Sequence, residues 1–195
     1  MIGYDSAGRL QYLYHPEYRE RKEREKFEWI LCFSEALPKM RRTSNHLRRK
    51  NLDREKVLTA MTRLMNVAYF RAGAERYARK NKTYGIATLK RNYLRIEGYT
   101  LIFAFTGKWG QQQRKVITDA KLRTIVEECA ELPGYEVFKY FDDSGEIRDV
   151  KSRDLTAYVK EVMGDEFTSK IFRTWAGTRF AAVKVAQLGA TEDLD

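Results

Sequence analysis

The period of the hydrophobic pattern changes between residues 57 and 118, and this change restricts the fold more than any other feature. Apolar residues first recur at helical spacing, at Val57, Met61, Leu64, Ala68 and Ala72. This spacing predicts a buried helix that carries Arg71 near the end of its apolar face. Apolar residues then alternate in 94–96 and 101–105, and 111–117 can return as a third strand. The pattern predicts an α+β fold, mainly helical, with a three-stranded antiparallel sheet inserted at 84–118.

The rest of the chain has the pattern of helices around this insertion. A helix is predicted from about Glu17, and Pro38 ends or kinks it. Asp53 is placed to cap the helix that carries Arg71. Later helices are predicted over Leu122 to Cys129, over Leu155 to Val162 and from Thr168. Residues 1–16 form an aromatic, turn-rich lead-in, and because no internal repeat or low-complexity linker occurs, we expect a single domain over 1–195.

The charge of the chain indicates a polyanionic partner. The formal net charge is +10 and the pI is near 9.6, a balance that favours nucleic acid over a membrane surface. The densest basic block lies in 39–50 and contains Lys39, Arg41, Arg42, Arg48, Arg49 and Lys50. No acidic residue interrupts this block. A solvated helix face and a phosphate-binding surface both remain open for it.

Cysteine and histidine usage argues against a disulfide or a zinc site. Cys32 and Cys129 fall on apolar helical faces, so both are predicted to be core residues in a reducing compartment. The only histidines are His15 and His46, and no Cys/His cluster occurs. No apolar run reaches the ~18 residues that span a bilayer, and the N-terminus has no signal-peptide pattern. We expect a cytoplasmic monomer without a membrane partner.

Three cations stand at the ends or edges of predicted elements: Arg71, Lys108 and Arg173. A phosphoryl transition state spreads negative charge over several oxygens, and a guanidinium group matches two of them at once. A lysine at a hairpin tip, such as Lys108, can donate a proton to a departing oxygen. These residue types therefore suit phosphoryl transfer, although any basic protein contains such a triple.

Five segments, taken in order, resemble one known family. They are 4–16 (Tyr4-Asp5-Ser-Ala-Gly8-Arg9 with Gln11-Tyr12-Leu-Tyr14-His15-Pro16), 70–81 (Phe70-Arg71-Ala-Gly73 to Asn81), 84–89 (Tyr84-Gly85 to Leu89), 105–108 (Phe105-Thr-Gly107-Lys108) and 172–178 (Phe172-Arg173-Thr174-Trp175 to Thr178). Together they resemble the type IB DNA topoisomerases, the compact poxvirus and bacterial kind. They cover the chain from residue 4 to about 182, and Ile171 departs from the family by replacing the acid usual two residues before Arg173.

The resemblance implies both an activity and a set of site residues. It implies that Arg71 and Arg173 clamp the scissile phosphate, and that Lys108 protonates the departing 5′ oxygen. Tyr77 and Lys170 match positions that bind nearby phosphates. The implied activity is relaxation of supercoiled duplex DNA by transient single-strand cleavage through a 3′-phosphotyrosine. It needs neither ATP nor a metal or nucleotide cofactor, and it implies a bacterial nucleoid-associated protein.

The sequence also departs from that family at both ends. The family carries an N-terminal DNA-clamping domain before the motif at Gly8-Arg9, and a His or Asn followed by the nucleophilic Tyr well beyond the match to Arg173. Here no His and no Tyr follows Arg173. We therefore expect a partial catalytic domain over 1–195, without the clamp and without the nucleophile segment, and inactive alone.

Two alternatives remain open on the sequence. One is a non-catalytic module that binds duplex DNA. The other is a tyrosine recombinase or integrase, which shares the Arg-Lys-Arg set. Recombinases generally have His three residues before the second Arg, and Lys170 occupies that place here, which favours the topoisomerase.

Overall fold

The computed structural model describes residues 2–6, 8 and 10–189. They divide into two compact units, 1–35 and 36–195. The strands are β1 (Ile2–Tyr4), β2 (Leu10–Tyr12), β3 (Leu94–Glu97), β4 (Thr100–Thr106), β5 (Gln112–Thr118), β6 (Lys139–Phe141) and β7 (Ile147–Asp149). The α-helices are α1 (Pro16–Arg42), α2 (Arg54–Ala68), α3 (Glu75–Asn81), α4 (Ala120–Glu131), α5 (Ser152–Met163) and α6 (Ile171–Leu188). The predicted class, mainly helical α+β, is confirmed.

The first unit contains a small hairpin and most of α1. Strands β1 and β2 pair antiparallel, with Ile2 opposite Tyr12. The rings of Tyr12, Tyr14 and Tyr18 stack in sequence, with centroids 6.1 Å and 5.1 Å apart. The aromatic lead-in predicted for 1–16 is therefore a hairpin followed by a ring stack that reaches the first turn of α1.

Helix α1 removes one of the two alternatives predicted at Pro38 and corrects the prediction for Cys32. It does not end at Pro38 but continues to Arg42, so the helix lacks only one backbone donor there. Its buried positions recur every three or four residues, at Ile30, Phe33, Leu37 and Met40. Cys32 lies off this stripe and is exposed, whereas Cys129 is buried as predicted. The prediction that Cys32 is a core residue was wrong, because the buried positions of α1 form a narrow stripe. Apolar residues of the helix outside this stripe, including Cys32, are exposed.

Helix α2 is the centre of the second unit. It is buried over most of its length and contacts α4, α5, α6, β5 and β6. The carboxylate of Asp53 accepts a hydrogen bond from the Lys56 amide at 2.9 Å, which confirms the predicted N-cap. The helix ends at Ala68, so the prediction that it carries Arg71 was wrong. Tyr69 adopts a left-handed conformation (φ 59°) and its amide donates to Met65 O, which terminates the helix.

The inserted sheet agrees with the prediction in order and direction. Strands β3, β4 and β5 form an antiparallel sheet in that order. One face is buried and presents Leu101, Phe103, Phe105 and Ile117. The 3₁₀ turns Ile86–Thr88 and Arg91–Tyr93 lie just before the sheet, and another, Lys108–Gly110, joins β4 to β5. Lys108 therefore lies in the turn of a hairpin, as predicted.

The remaining elements surround α2. Asp119 caps α4 by accepting hydrogen bonds from the amides of Lys121 and Leu122. Strands β6 and β7 form a hairpin, and α5 follows directly. Helix α6 begins at Ile171, three residues later than the predicted start at Thr168. In the described part of the chain, no helix is long and apolar enough to cross a membrane.

Candidate active site

Arg71 lies in an extended segment that is held against a second segment by two glycines. The amides of Ile86 and Ala87 donate to the carbonyl oxygens of Arg71 and Ala72, both at 2.8 Å. A Cβ atom added to Gly85 would lie 2.6 Å from both Arg71 O and Gly73 Cα. Gly73 also has a φ of +81°, which favours glycine. The two backbones can therefore approach this closely only because neither position carries a side chain.

Phe70 fixes the same segment to the inserted sheet. Its ring contacts Phe103 edge-on at 5.2 Å and stacks with Phe105 at 5.8 Å, and it is almost completely buried. The backbone amide of Tyr84 donates to Thr106 O at 2.9 Å. Since Phe70 is the residue before Arg71, burial of its ring on the sheet places Arg71 at the end of β4, where the turn with Lys108 begins.

Lys108 is presented by a short, hydrogen-bonded turn. The Gly107 amide donates to Gln111 O at 2.7 Å, and the Gly110 amide donates to Gly107 O at 3.1 Å. Trp109 adopts a left-handed conformation (φ 63°) and is 78% exposed. The Lys108 ammonium lies over the Trp109 indole, 4.4 Å from the ring centroid. This contact is a cation–π interaction that restricts where the ammonium can point.

Arg173 lies in the first turn of α6 and is partly buried. Its Nη1 donates to the carbonyl oxygen of Tyr69 at 3.0 Å, so it is anchored on the residue that ends α2. Burial lowers the pKa of Arg173, and the nearby charge of Arg71 lowers it further. The guanidinium remains charged, and the neighbouring charge that shifts its pKa is that of another cation.

These segments enclose one pocket with a volume of about 210 Å³. Its wall includes the side chains of four cations, namely Arg71, Lys108, Lys115 and Arg173. We call it the cationic pocket. Tyr69, Tyr84, Trp109 and four phenylalanine or glutamine residues complete much of the wall, and no carboxylate occurs among the described residues that line it. The fold therefore brings together the three cations that the sequence predicted as catalytic.

Lys115 is a pocket residue that sequence reasoning missed. It lies on β5 between Gln113 and Ile117, on the strand face that also carries the buried Ile117. It pairs across the ladder with the buried Phe103. Burial lowers the pKa of Lys115, and Arg173 lowers it further. The sequence feature that could have identified it is a lysine at a core-facing position of a strand, two residues before the apolar Ile117 on the same face.

The two predicted DNA-binding residues lie outside the cationic pocket. Tyr77 is on α3, about half exposed, and its ring lies beneath the Arg76 guanidinium at 4.6 Å. Lys170 is exposed and precedes the first turn of α6. Neither side chain lines the pocket. Their predicted role at flanking phosphates therefore stays a prediction.

The basic block at 39–50 is mostly exposed but is not uniformly free. Its residues lie at the end of α1, in the 3₁₀ turn Thr43–Arg48 that follows and in the two residues after that turn. Arg49 pairs with Asp53 at 2.5 Å, and Lys39 donates to Met163 O at 3.4 Å. Arg42, Arg48 and Lys50 are exposed. The described residues include no His, Cys, Asp or Glu cluster that could hold a metal ion.

Two comparisons with known proteins identify the family. The family model described as eukaryotic DNA topoisomerase I, catalytic core, matches residues 15–193. The chain is also 32% identical to a DNA topoisomerase 1B of Acanthamoeba polyphaga mimivirus over 186 residues, which cover 92% of this chain and 55% of the relative. The chain thus spans about half the length of the relative that it matches. Because the family model covers nearly the whole chain, the chain belongs to the type IB DNA topoisomerase family and matches its catalytic core.

Proposed function

We propose that the chain is the part of a type IB topoisomerase that binds duplex DNA and stabilises the transition state of single-strand cleavage. The observation that supports this proposal is the cationic pocket, in which Arg71, Lys108 and Arg173 meet without a carboxylate. A pocket of this charge attracts a phosphodiester and repels neutral or cationic ligands. Because no described residue of the wall is acidic, no carboxylate of the wall competes with the phosphate for these cations.

Each of the three cations has a proposed role in the cleavage step. Arg71 and Arg173 bind the non-bridging oxygens of the scissile phosphate, because guanidinium donors match paired oxygens. The carbonyl of Tyr69 anchors one donor of Arg173 and leaves its other N–H groups for the phosphate. Lys108 donates a proton to the departing 5′ oxygen as a tyrosine oxygen attacks phosphorus from the opposite side. The product is a 3′-phosphotyrosine and a free 5′ hydroxyl, and religation reverses the step without ATP.

The attacking tyrosine is the part of this chemistry for which the 195 residues offer no candidate in the family's order, since no Tyr follows Arg173. We therefore expect that these 195 residues alone neither relax supercoiled plasmid nor form a covalent DNA adduct. Joining them to a tyrosine-bearing C-terminal segment of the family should yield relaxation without ATP or Mg²⁺. Adduct formation by the 195 residues would show that another residue attacks.

The sharpest test compares Arg173→Ala with Arg179→Ala in the joined protein. Both residues lie on α6, but only Arg173 lines the cationic pocket. Loss of one preorganised charge donor should slow cleavage by about 10²–10³-fold. Arg179→Ala should leave the cleavage rate within about twofold of the parent. Equal rates for the two variants would contradict the proposed role of the pocket.

A non-catalytic DNA-binding module is the second candidate, favoured by the exposed cations at 39–50 and the net charge of +10. Both candidates predict salt-dependent binding of duplex DNA, with a log–log slope of about −0.9 per phosphate neutralised. They differ in the joined protein, where only the topoisomerase forms an adduct. Binding that does not respond to ionic strength would argue against both.

A further inference from the structure

Lys115 is the one cation of the pocket that the family resemblance does not assign. It projects from the inner face of β5, the face shared with Gln113 and the buried Ile117. Its neighbour Arg114 points to the opposite, exposed face. The strand register therefore places the Lys115 stem beside the sheet core and its ammonium at the pocket wall, where it lines the same space as Arg173.

The surroundings of Lys115 in the free protein do not favour a positive charge. The group is partly removed from water, and the charge that acts most strongly on it is the cation Arg173. No described carboxylate pairs with it, and the pocket wall offers only Arg71 and Lys108 as further charges. A residue of similar volume without charge, such as Met, would fill the position without this repulsion. Packing therefore does not explain a lysine here.

An anion bound in the pocket would make the electrostatic surroundings of Lys115 favourable to its positive charge. A negative group between Lys115 and Arg173 is attracted by both, and the like-charge repulsion becomes part of the binding energy. The volume of about 210 Å³ is below the size typical of pockets for whole drug-sized ligands. It suits a single small group such as a phosphate, with the rest of the DNA strand lying outside.

We propose that Lys115 is a fourth cation that binds the phosphate of the DNA strand within the cationic pocket. This inference rests on the proposed function and extends it, because it assigns a phosphate-binding role to a residue on the sheet. One phosphodiester carries a single negative charge, and the cleavage transition state carries more. A fourth cation is therefore most useful where negative charge accumulates during cleavage.

The test uses the 195-residue chain and a duplex of arbitrary sequence, and it compares Lys115→Met with Arg114→Met. The two substitutions remove the same charge from adjacent positions on opposite faces of β5. Lys115→Met should weaken duplex binding by about tenfold, as expected for loss of one charge-assisted hydrogen bond. It should also reduce the log-salt slope by about 0.9. Lys115→Arg should retain most of the affinity because it keeps the charge.

A thermal measurement on the free proteins distinguishes binding from a structural role. Lys115→Met should raise the Tm, because it removes a desolvated charge that only cations surround. The pKa of Lys115 is lowered below the usual lysine value of 10.5, so its charge destabilises the native state at neutral pH and ceases to do so as pH rises toward 10.5. The Tm difference between Lys115→Met and the parent should therefore shrink over that range. If Lys115 instead stabilised the fold, Lys115→Met would lower the Tm.

The outcomes separate the inference from the function on which it rests. Weaker binding together with a higher Tm supports the role of Lys115. Equal binding by Lys115→Met and Arg114→Met, or a lower Tm for Lys115→Met, overturns that role and leaves the proposed function standing. If the parent chain binds no duplex at low salt, the proposed function fails first, and the inference fails with it.

Discussion

Two lysines in the second unit are both removed from water, yet their surroundings are opposite. Lys139, at the start of β6, is 1% exposed, and its ammonium donates to the carbonyl oxygens of Leu132 (3.2 Å) and Glu136. Lys115 lines the cationic pocket and has Arg173 as its dominant charged neighbour. Burial lowers the pKa of both. The direction of the pKa shift therefore does not distinguish these two lysines, whereas their partners do.

The loop around Lys139 explains why that charge is tolerated. The chain turns through Gly134 (φ +114°), where an added Cβ would lie 2.9 Å from Lys139 Cε. Asp149 and Glu136 oppose the lowering of its pKa. The thiol of Cys129 donates to Lys139 O, and burial raises the pKa of that thiol to about 12. The ammonium of Lys139 and the thiol of Cys129 therefore both have hydrogen-bond partners within the protein.

The cationic pocket differs, because no described residue of its wall carries a negative charge. Its rigidity comes from groups that carry no charge: the Gly73–Gly85 contact, the Phe70 ring on the sheet, and the backbone bonds of the 107–111 turn. Uncharged contacts hold four like charges near each other, which we expect to cost stability and to favour binding of an anion. Three substitutions test whether the uncharged contacts and the charges act separately.

Gly85→Ala should damage stability and DNA binding together. The new Cβ would lie 2.6 Å from backbone atoms of Arg71 and Gly73, which cannot move aside as a flexible side chain would. We expect a loss of about 3 kcal/mol in the free energy of unfolding, the upper part of the range for overpacking. Chemical denaturation checks this value. Gly177→Ala, on α6 with open space around it, should instead stabilise the chain by about 0.5–1 kcal/mol. A stable Gly85→Ala would show that the two segments can separate.

Lys139→Met should destabilise the protein although it removes a charge with a lowered pKa. The carbonyl of Glu136 would lose its ammonium donor, whereas Leu132 O would keep a longer hydrogen bond from Arg91 at 3.4 Å. We expect a loss of about 2 kcal/mol, within the range for a buried acceptor left unpaired. The same substitution at the exposed Lys121 on α4 should change the free energy of unfolding by less than about 0.5 kcal/mol. If Lys139→Met raised the Tm as Lys115→Met should, the contrast between the two lysines would be lost.

Trp109→Ala should have the smallest effect on stability. The indole is 78% exposed, and its one charged contact is with the Lys108 ammonium. Loss of an exposed cation–π contact costs about 0.5–1 kcal/mol. We expect duplex affinity to fall a few-fold, since Lys108 is then less restricted at the pocket. Tyr99→Ala, at the exposed turn between β3 and β4, is the matched control in fluorescence-anisotropy titrations. Equal affinities for both variants would assign no role to the Lys108–Trp109 contact.

The elements of the fold were predictable from local pattern, whereas the family resemblance implied the catalytic roles of Arg71, Lys108 and Arg173. Apolar residues at a spacing of about 3.6 predicted the helices, and apolar residues at every second position predicted the inserted sheet. Asp53 marked the start of α2, and the alternating pattern on either side of Lys108 predicted that it lies in the β4–β5 turn. The end of α2 was not predictable, because Tyr69 adopts a left-handed conformation that glycine usually adopts. The apolar Ala72 continued the helical spacing although the backbone had already left the helix.

Alternation, helix capping and charge follow from the sequence alone, because they depend on a residue and its neighbours in the chain. Which charged groups lie close together depends on how the chain packs in three dimensions. In the folded chain Gly73 lies against Gly85, and Arg173 donates a hydrogen bond to Tyr69 O. Lys115 lines the cationic pocket, and Lys139 donates to two backbone carbonyl oxygens. Desolvation and electrostatic interaction act through space over a few ångströms, and the sequence does not specify those distances until the chain has packed. For this reason two lysines that look alike in the sequence have opposite surroundings in the folded protein.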